Sequence, residues 1–158
     1  MSVLAIISRQ TVAEEIEACQ DSCKDYGWLI SSVDEVNQLF TVTMASPIDQ
    51  QQYIVEVRFD NYPETPYLLD FIHPVTGVRG VPNAYPKNKD SFFNRHGVQG
   101  VICHPCSRKS YCGYTGLHSD WAITNWKALA GGLINLNAIL DTIFTRVSNR
   151  SQYEGRMV

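Results

Sequence analysis

The sequence predicts an α+β domain, and three observations carry that expectation. A stretch with apolar residues at helical spacing comes first, four stretches of alternating β-branched and aromatic residues follow between short turns, and a second helical apolar stripe comes near the end. Short connections make neighbouring strands antiparallel, so the middle reads as a four-stranded antiparallel meander, with a long irregular loop between it and the C-terminal helix. The chain has 158 residues and is read as a single domain over 1–158, a length that buries roughly 70% of the unfolded surface without disulfide staples.

The first helix is placed at 11–26. Thr11 and Glu14 have capping-box spacing, Val12, Ile16, Cys19 and Cys23 share one face, and Gly27 stands where a helix ends. Cys19 and Cys23 are read as small core residues, since a metal pair at that spacing would need further ligands that the segment lacks. Strands are expected near 28–33, 38–44, 53–59 and 67–72; in the third, Tyr53, Val55, Val57 and Phe59 alternate with Ile54, Glu56 and Arg58. Past Ile72 the periodicity stops for about 50 residues, a length that compact domains leave irregular mainly where the segment has a function. Asn125 is then expected to cap a helix over 125–147, with Trp126, Leu129, Leu133, Leu136, Leu140, Ile143 and Val147 on its core face. From Ser148 onward the residues are polar and are expected to fray.

Composition excludes several classes. A net charge of -3 with acids and bases mixed along the chain lacks the basic stripe of a general nucleic-acid binder. No run of 18 apolar residues offers a membrane span, and Val3-Leu4-Ala5-Ile6-Ile7 is too short, and lacks the basic lead-in, for a secretory signal. Five cysteines, an odd number, are read as reduced thiols in the cytoplasm.

Three of the five cysteines and two of the four histidines lie within residues 100–121. Val101 and Ile102 would seat Cys103 against a core, and the Pro, Ser, Gly and basic residues that follow are expected to be irregular and exposed. A thiolate is the reactive form of cysteine, and Arg108, Lys109 and protonated His104 would favour it. Cys106 lies in the same turn and is the alternative nucleophile.

The layout, in order, resembles the ubiquitin-conjugating enzymes: a helix, a four-strand meander, a Tyr-Pro turn, a long loop with a Gly-x-Ile-Cys element, a downstream Trp and then helices. Tyr62-Pro63-Glu64-Thr65-Pro66 followed by Phe71 matches their Tyr-Pro-x-x-Pro turn and the aromatic residue after it. His73-Pro74 takes the place of their His-Pro-Asn motif, and Gly100-Val101-Ile102-Cys103 that of the segment with the thioester-forming cysteine. The likeness covers about residues 10–147. The Cys-His-Pro-Cys-Ser-Arg-Lys-Ser-Tyr run looks more like divergent bacterial members from antiphage operons, where a ubiquitin-like protein, an activating enzyme and a deconjugating metalloprotease are encoded nearby.

That resemblance implies a UBC-like fold and a transferase without cofactor, Cys103 accepting a ubiquitin-like protein from an activating enzyme as a thioester. An amine of a protein target, a phage protein being one candidate, would then take the acyl group. Val75 follows His73-Pro74, so the family's oxyanion asparagine is absent there. Asn83, Asn94 or His96 could supply the donor that acyl transfer requires, and Asn94 is preferred as nine residues before Cys103. His104, His118 or Asp120 could orient or deprotonate the amine; Asp120, before Trp121, could equally cap a helix.

Two other classes compete. Cys103, Cys106, Cys112 and His118 have spacing compatible with a tetrahedral zinc site, which would make the chain a non-catalytic interaction module. A Cys-His hydrolase fits a cysteine near a histidine, but the sequence identifies no third group to orient that histidine.

Overall fold

The structure, a computed structural model, describes residues 2–115 and 117–158. It is α+β, with N-terminal helix, four-stranded antiparallel sheet and C-terminal helix and strand. Helices α1 (Val3–Ala18) and α2 (Gln20–Tyr26) precede strands β1 (Leu29–Ile30), β2 (Leu39–Ala45), β3 (Gln52–Arg58) and β4 (Leu68–Ile72). The four strands pair in chain order, every pair antiparallel, as their short connections require.

The inner face of this sheet is apolar. Val42 sits opposite Val55, Met44 opposite Tyr53 and Val57 opposite Leu69, and all are essentially without solvent exposure. The other face carries charge: Glu56 and Asp70 lie directly opposite one another and are both buried. Like charges in that register repel, and each is neutralised by cations from elsewhere. Arg58 and Arg79 lie 2.9 Å from Glu56, and Lys109 lies 3.0 Å from Asp70.

The first helix starts earlier than the capping-box spacing indicated. Ser2 is its N-cap, with Oγ accepting from the Ala5 amide at 3.1 Å. Thr11 and Glu14 lie inside α1, where the amides already have partners one turn back, so no orphan donor remains for a cap to satisfy. Val12 and Cys19 are buried as expected, and Gly27 ends α2 at φ 73°.

The C-terminal stripe is also interrupted. A short turn, Ile123–Asn125, leads into α3 (Trp126–Leu129), and α4 (Leu136–Ser148) follows a break. Gly131, at φ 61°, takes a left-handed conformation that favours glycine. Asn135 restarts the helix by accepting from the Ala138 amide at 2.9 Å, and the Leu136 amide donates to Glu15 at 2.7 Å. Glu15 also accepts from the hydroxyls of Tyr62 (2.6 Å) and Tyr67 (3.0 Å). One carboxylate thereby ties α1, the Tyr-Pro turn and the start of α4 together; Tyr62-Pro63 is cis.

Residues after Ser148 do not fray. Strand β8 (Tyr153–Arg156) pairs antiparallel with β5 (Pro86–Asn88), and Tyr153 and Met157 enter the core. The irregular half contains a further hairpin, β6 (Phe93–His96) with β7 (Gln99–Ile102). It docks along the free edge of β4, where the Gly80 amide donates to Phe71 O (3.0 Å) and that of Arg108 to Tyr67 O (2.9 Å). A covered edge is one fewer template for aggregation. Gly100 is obligatory here, because a Cβ on it would fall 2.2 Å from the ring of buried Tyr85.

Candidate functional site

Cys103 follows β7 immediately, and its amide extends the hairpin ladder by donating to Phe92 O at 2.7 Å. A tight turn comes next. The His104 amide donates to Ile102 O (3.0 Å), the Ser107 amide to His104 O (3.0 Å) and the Cys106 amide to His104 Nδ1 (3.0 Å). The turn is pinned to the body by Ser110, whose hydroxyl donates to Ile102 O, and by Tyr111, whose hydroxyl donates to Pro105 O at 2.7 Å.

The two candidate thiols differ sharply. Cys106 is fully buried in the core, and burial, against smaller opposing contributions from its own backbone amide and Arg146, pushes its thiol up to about 12. Cys103 keeps partial exposure; burial raises its thiol above the usual cysteine range. The sequence expectation that both share an exposed turn is therefore corrected. Residues Cys106–Tyr111 are all buried, with Arg108 held by Asp60 and Lys109 by Asp70 of β4.

Arg108 and Lys109 are likewise corrected as thiolate neighbours. Arg108 makes a two-pronged contact with Asp60, at 2.7 Å to Oδ1 and 2.7 Å to the backbone carbonyl. Lys109 is buried between Asp70 (3.0 Å) and Gly100 O (2.9 Å), with Tyr85 donating its hydroxyl to the same carboxylate. Both cations are spent on docking the loop.

The group that does meet Cys103 is His118, with Nε2 at 3.2 Å from Sγ. An imidazole at that distance can take the thiol proton and return it, which is the arrangement of a base-activated nucleophile. Two further groups lie beside the imidazole. Asp120 Oδ1 is 3.9 Å from Nδ1, and Trp121 stacks on the ring at 3.5 Å between centroids with planes 5° apart. The sequence identified no third group on this histidine; Trp121 is the one in contact with its ring, and Asp120 caps no helix, since the next turn begins after Ala122.

The remaining candidates lie further out. His104 lies tilted beside Phe92 (5.8 Å between centroids, planes 51° apart), and burial, then the charge of Arg146, lowers its pKa. Asn94 pairs with Val101 in the hairpin, its Oδ1 accepting from the Arg95 amide at 2.8 Å. His96 is at the hairpin tip, and Asn83 sits in the turn Pro82–Ala84 before β5. Concavities of about 320 and 380 Å³, beside the start of α1 and between β5, β6 and Met157, do not include Cys103.

The four alternative zinc ligands are not gathered. Cys106 is in the core, Cys112 is exposed, and among the described residues no group of three His, Cys, Asp or Glu is placed to hold an ion. Nor is any described helix long and apolar enough to cross a membrane. Arg146, over the Phe92 ring at 3.9 Å, was not singled out by sequence reasoning; no local pattern in α4 marks it as reaching the cysteine loop. Trp121 was noticed only as a downstream tryptophan, and its contact with His118 depends on a turn with no periodic signature. Neither the known protein families nor the curated proteins contain a match to the chain.

Proposed function

We propose that the chain is a ubiquitin-conjugating-type acyl carrier, in which Cys103 receives the C-terminal acyl group of a ubiquitin-like protein and passes it to an amine of a protein target in bacterial antiphage defence. The observation that carries the proposal is the 3.2 Å contact between Cys103 Sγ and His118 Nε2 at the end of β7, together with the ordered family-like motifs. His118 takes the thiol proton; the thiolate attacks the thioester carbonyl presented by the activating enzyme, whose own thiolate leaves and takes that proton from His118. In the second step the target amine attacks the Cys103 thioester, the amine proton passes to His118 and then to the departing thiolate, and an amide remains.

The amides of Cys103, His104, Cys106 and Ser107 all point to internal acceptors, so the oxyanion is left to a side-chain donor. Asn94 is assigned that role: it pairs with Val101 in the hairpin, two residues before Cys103, and its Nδ2 is a donor. Incubation with the ubiquitin-like protein, its activating enzyme and ATP is expected to add one acyl group that thiol reductant removes. An adduct that resists reductant in the wild-type protein would overturn the thioester step.

A second reading, a thiol hydrolase with water as acceptor, is favoured by one observation, the stacking of Trp121 on His118. The two readings separate on the isolated thioester. A carrier holds it for many minutes and discharges on adding amine, whereas a hydrolase loses it to water at once.

A further inference from the structure

We infer that Trp121 is the positioning residue of the Cys103–His118 pair, holding the imidazole by its face where the carboxylate of Asp120 does not hold it by its edge. Asp120 Oδ1 stands 3.9 Å from His118 Nδ1, beyond hydrogen-bond reach, and its side chain is 80% exposed. An exposed carboxylate at that distance fixes little. Trp121, in contrast, lies flat on the imidazole with centroids 3.5 Å apart and planes 5° apart.

The indole is itself anchored. Its edge meets Tyr111 at 5.6 Å and an interplanar angle of 63°, and Tyr111 is 1% exposed. The Tyr111 hydroxyl donates to Pro105 O at 2.7 Å, inside the turn that follows Cys103. Tyr111 also forms a parallel backbone bridge with His118. Tyr111 therefore fixes the cysteine turn, the histidine backbone and the tryptophan, and the tryptophan fixes the imidazole plane. The indole thereby sets the plane of the imidazole, and the 3.2 Å contact of Nε2 with Sγ lies within that plane's reach.

The inference rests on Cys103 and His118 being the reacting pair, and it is read on the chain alone, so the absence of conjugation with any partner leaves its outcome unaffected. The readout is the iodoacetamide alkylation rate of Cys103, followed by peptide mass spectrometry to separate it from the other thiols. Trp121→Ala is expected to slow alkylation about tenfold, less than the roughly hundredfold that a full ångström of misplacement can cost. Trp121→Phe restores the rate to within about twofold, because a flat ring still covers the imidazole. Asp120→Asn slows it less than Trp121→Ala does.

In a His118→Ala background, Trp121→Ala is expected to cause no further loss, since the tryptophan then has nothing to position. The ring protons of His118 in the wild-type chain should resonate upfield from the indole ring current, a signature readable even if Trp121→Ala folds poorly. An unchanged rate in Trp121→Ala, an equal additional loss in the His118→Ala background, a larger effect from Asp120→Asn, or unshifted His118 protons would each overturn the assignment.

Discussion

The inner face of the sheet and the covered edge of β4 are held by different chemistry. On the inner face, Phe40, Val42, Val55, Val57, Leu69 and Phe71 are buried by alternation alone, and the stabilisation is spread over many contacts of about 1.5–3 kcal/mol per side chain. Along β4 the loop half is fixed at a few points: Lys109 on Asp70, Arg108 on Asp60, Arg79 on Glu56. A face of this first kind tolerates replacement by other apolar residues of similar size. A point contact with both charges buried, as Lys109 on Asp70 is, does not, because removing one partner strands the other. The site hangs from the second kind, so its geometry is more brittle than the fold beneath it.

The comparison can be broken at several places. Leu136→Asp should have the largest effect, since Leu136 is fully buried at the start of α4. An unpaired carboxylate there costs several kcal/mol, and the protein is expected to unfold or aggregate; an equally stable variant, measured by denaturant titration, would show that α4 does not pack as described. Lys109→Met is next, at about 3–5 kcal/mol, because it leaves Asp70 buried without its cation. Pairing it with Asp70→Leu should recover most of that loss. If the double variant is no better than the single, the ion pair is not what docks the loop.

Gly100→Ala should cost about 1–3 kcal/mol by overpacking against Tyr85, which cannot retreat while its hydroxyl donates to Asp70. Thermal unfolding reads this directly. The smallest effect is one of pH. The fold lowers the pKa of His104 by burial and by the charge of Arg146, so the folded state favours the neutral ring. Its contribution to stability is present above the ordinary histidine value of about 6.5 and is lost as pH falls below that value, where the unfolded chain binds the proton first. His104→Gln should flatten the stability profile across this window; an unchanged slope would remove His104 from the account.

The sheet was legible in the sequence because a two-residue period admits one register for a half-buried strand. The strands expected at 38–44 and 53–59 are the observed β2 and β3 to within a residue or so. The helices were legible in their faces but not their ends: Thr11 and Glu14 look like a cap until Ser2 is seen to hold one, and Gly131 breaks a stripe whose apolar spacing runs straight through it. The loop half was legible only as the place of the chemistry. Arg108 and Lys109 sit beside the cysteines in sequence, and nothing local reveals that Asp60, in the turn after β3, and Asp70, on β4, claim them. Cys106 and Cys103 carry the same local signals, and only the anchoring of residues 106–111 divides a core thiol from an accessible one. The pairing of Cys103 with His118 is a tertiary fact that spacing did not single out from His104, the nearer histidine.

The most direct test of the central claim uses oxygen in place of sulfur. With the ubiquitin-like protein, its activating enzyme and ATP, Cys103→Ser is predicted to carry an acyl adduct that resists thiol reductant and yields to hydroxide, while Cys103→Ala carries none and Cys106→Ala retains the reductant-sensitive adduct of the native chain. A reductant-sensitive adduct persisting in Cys103→Ala, or lost in a folded Cys106→Ala, would contradict the assignment of Cys103 as the acyl-bearing residue.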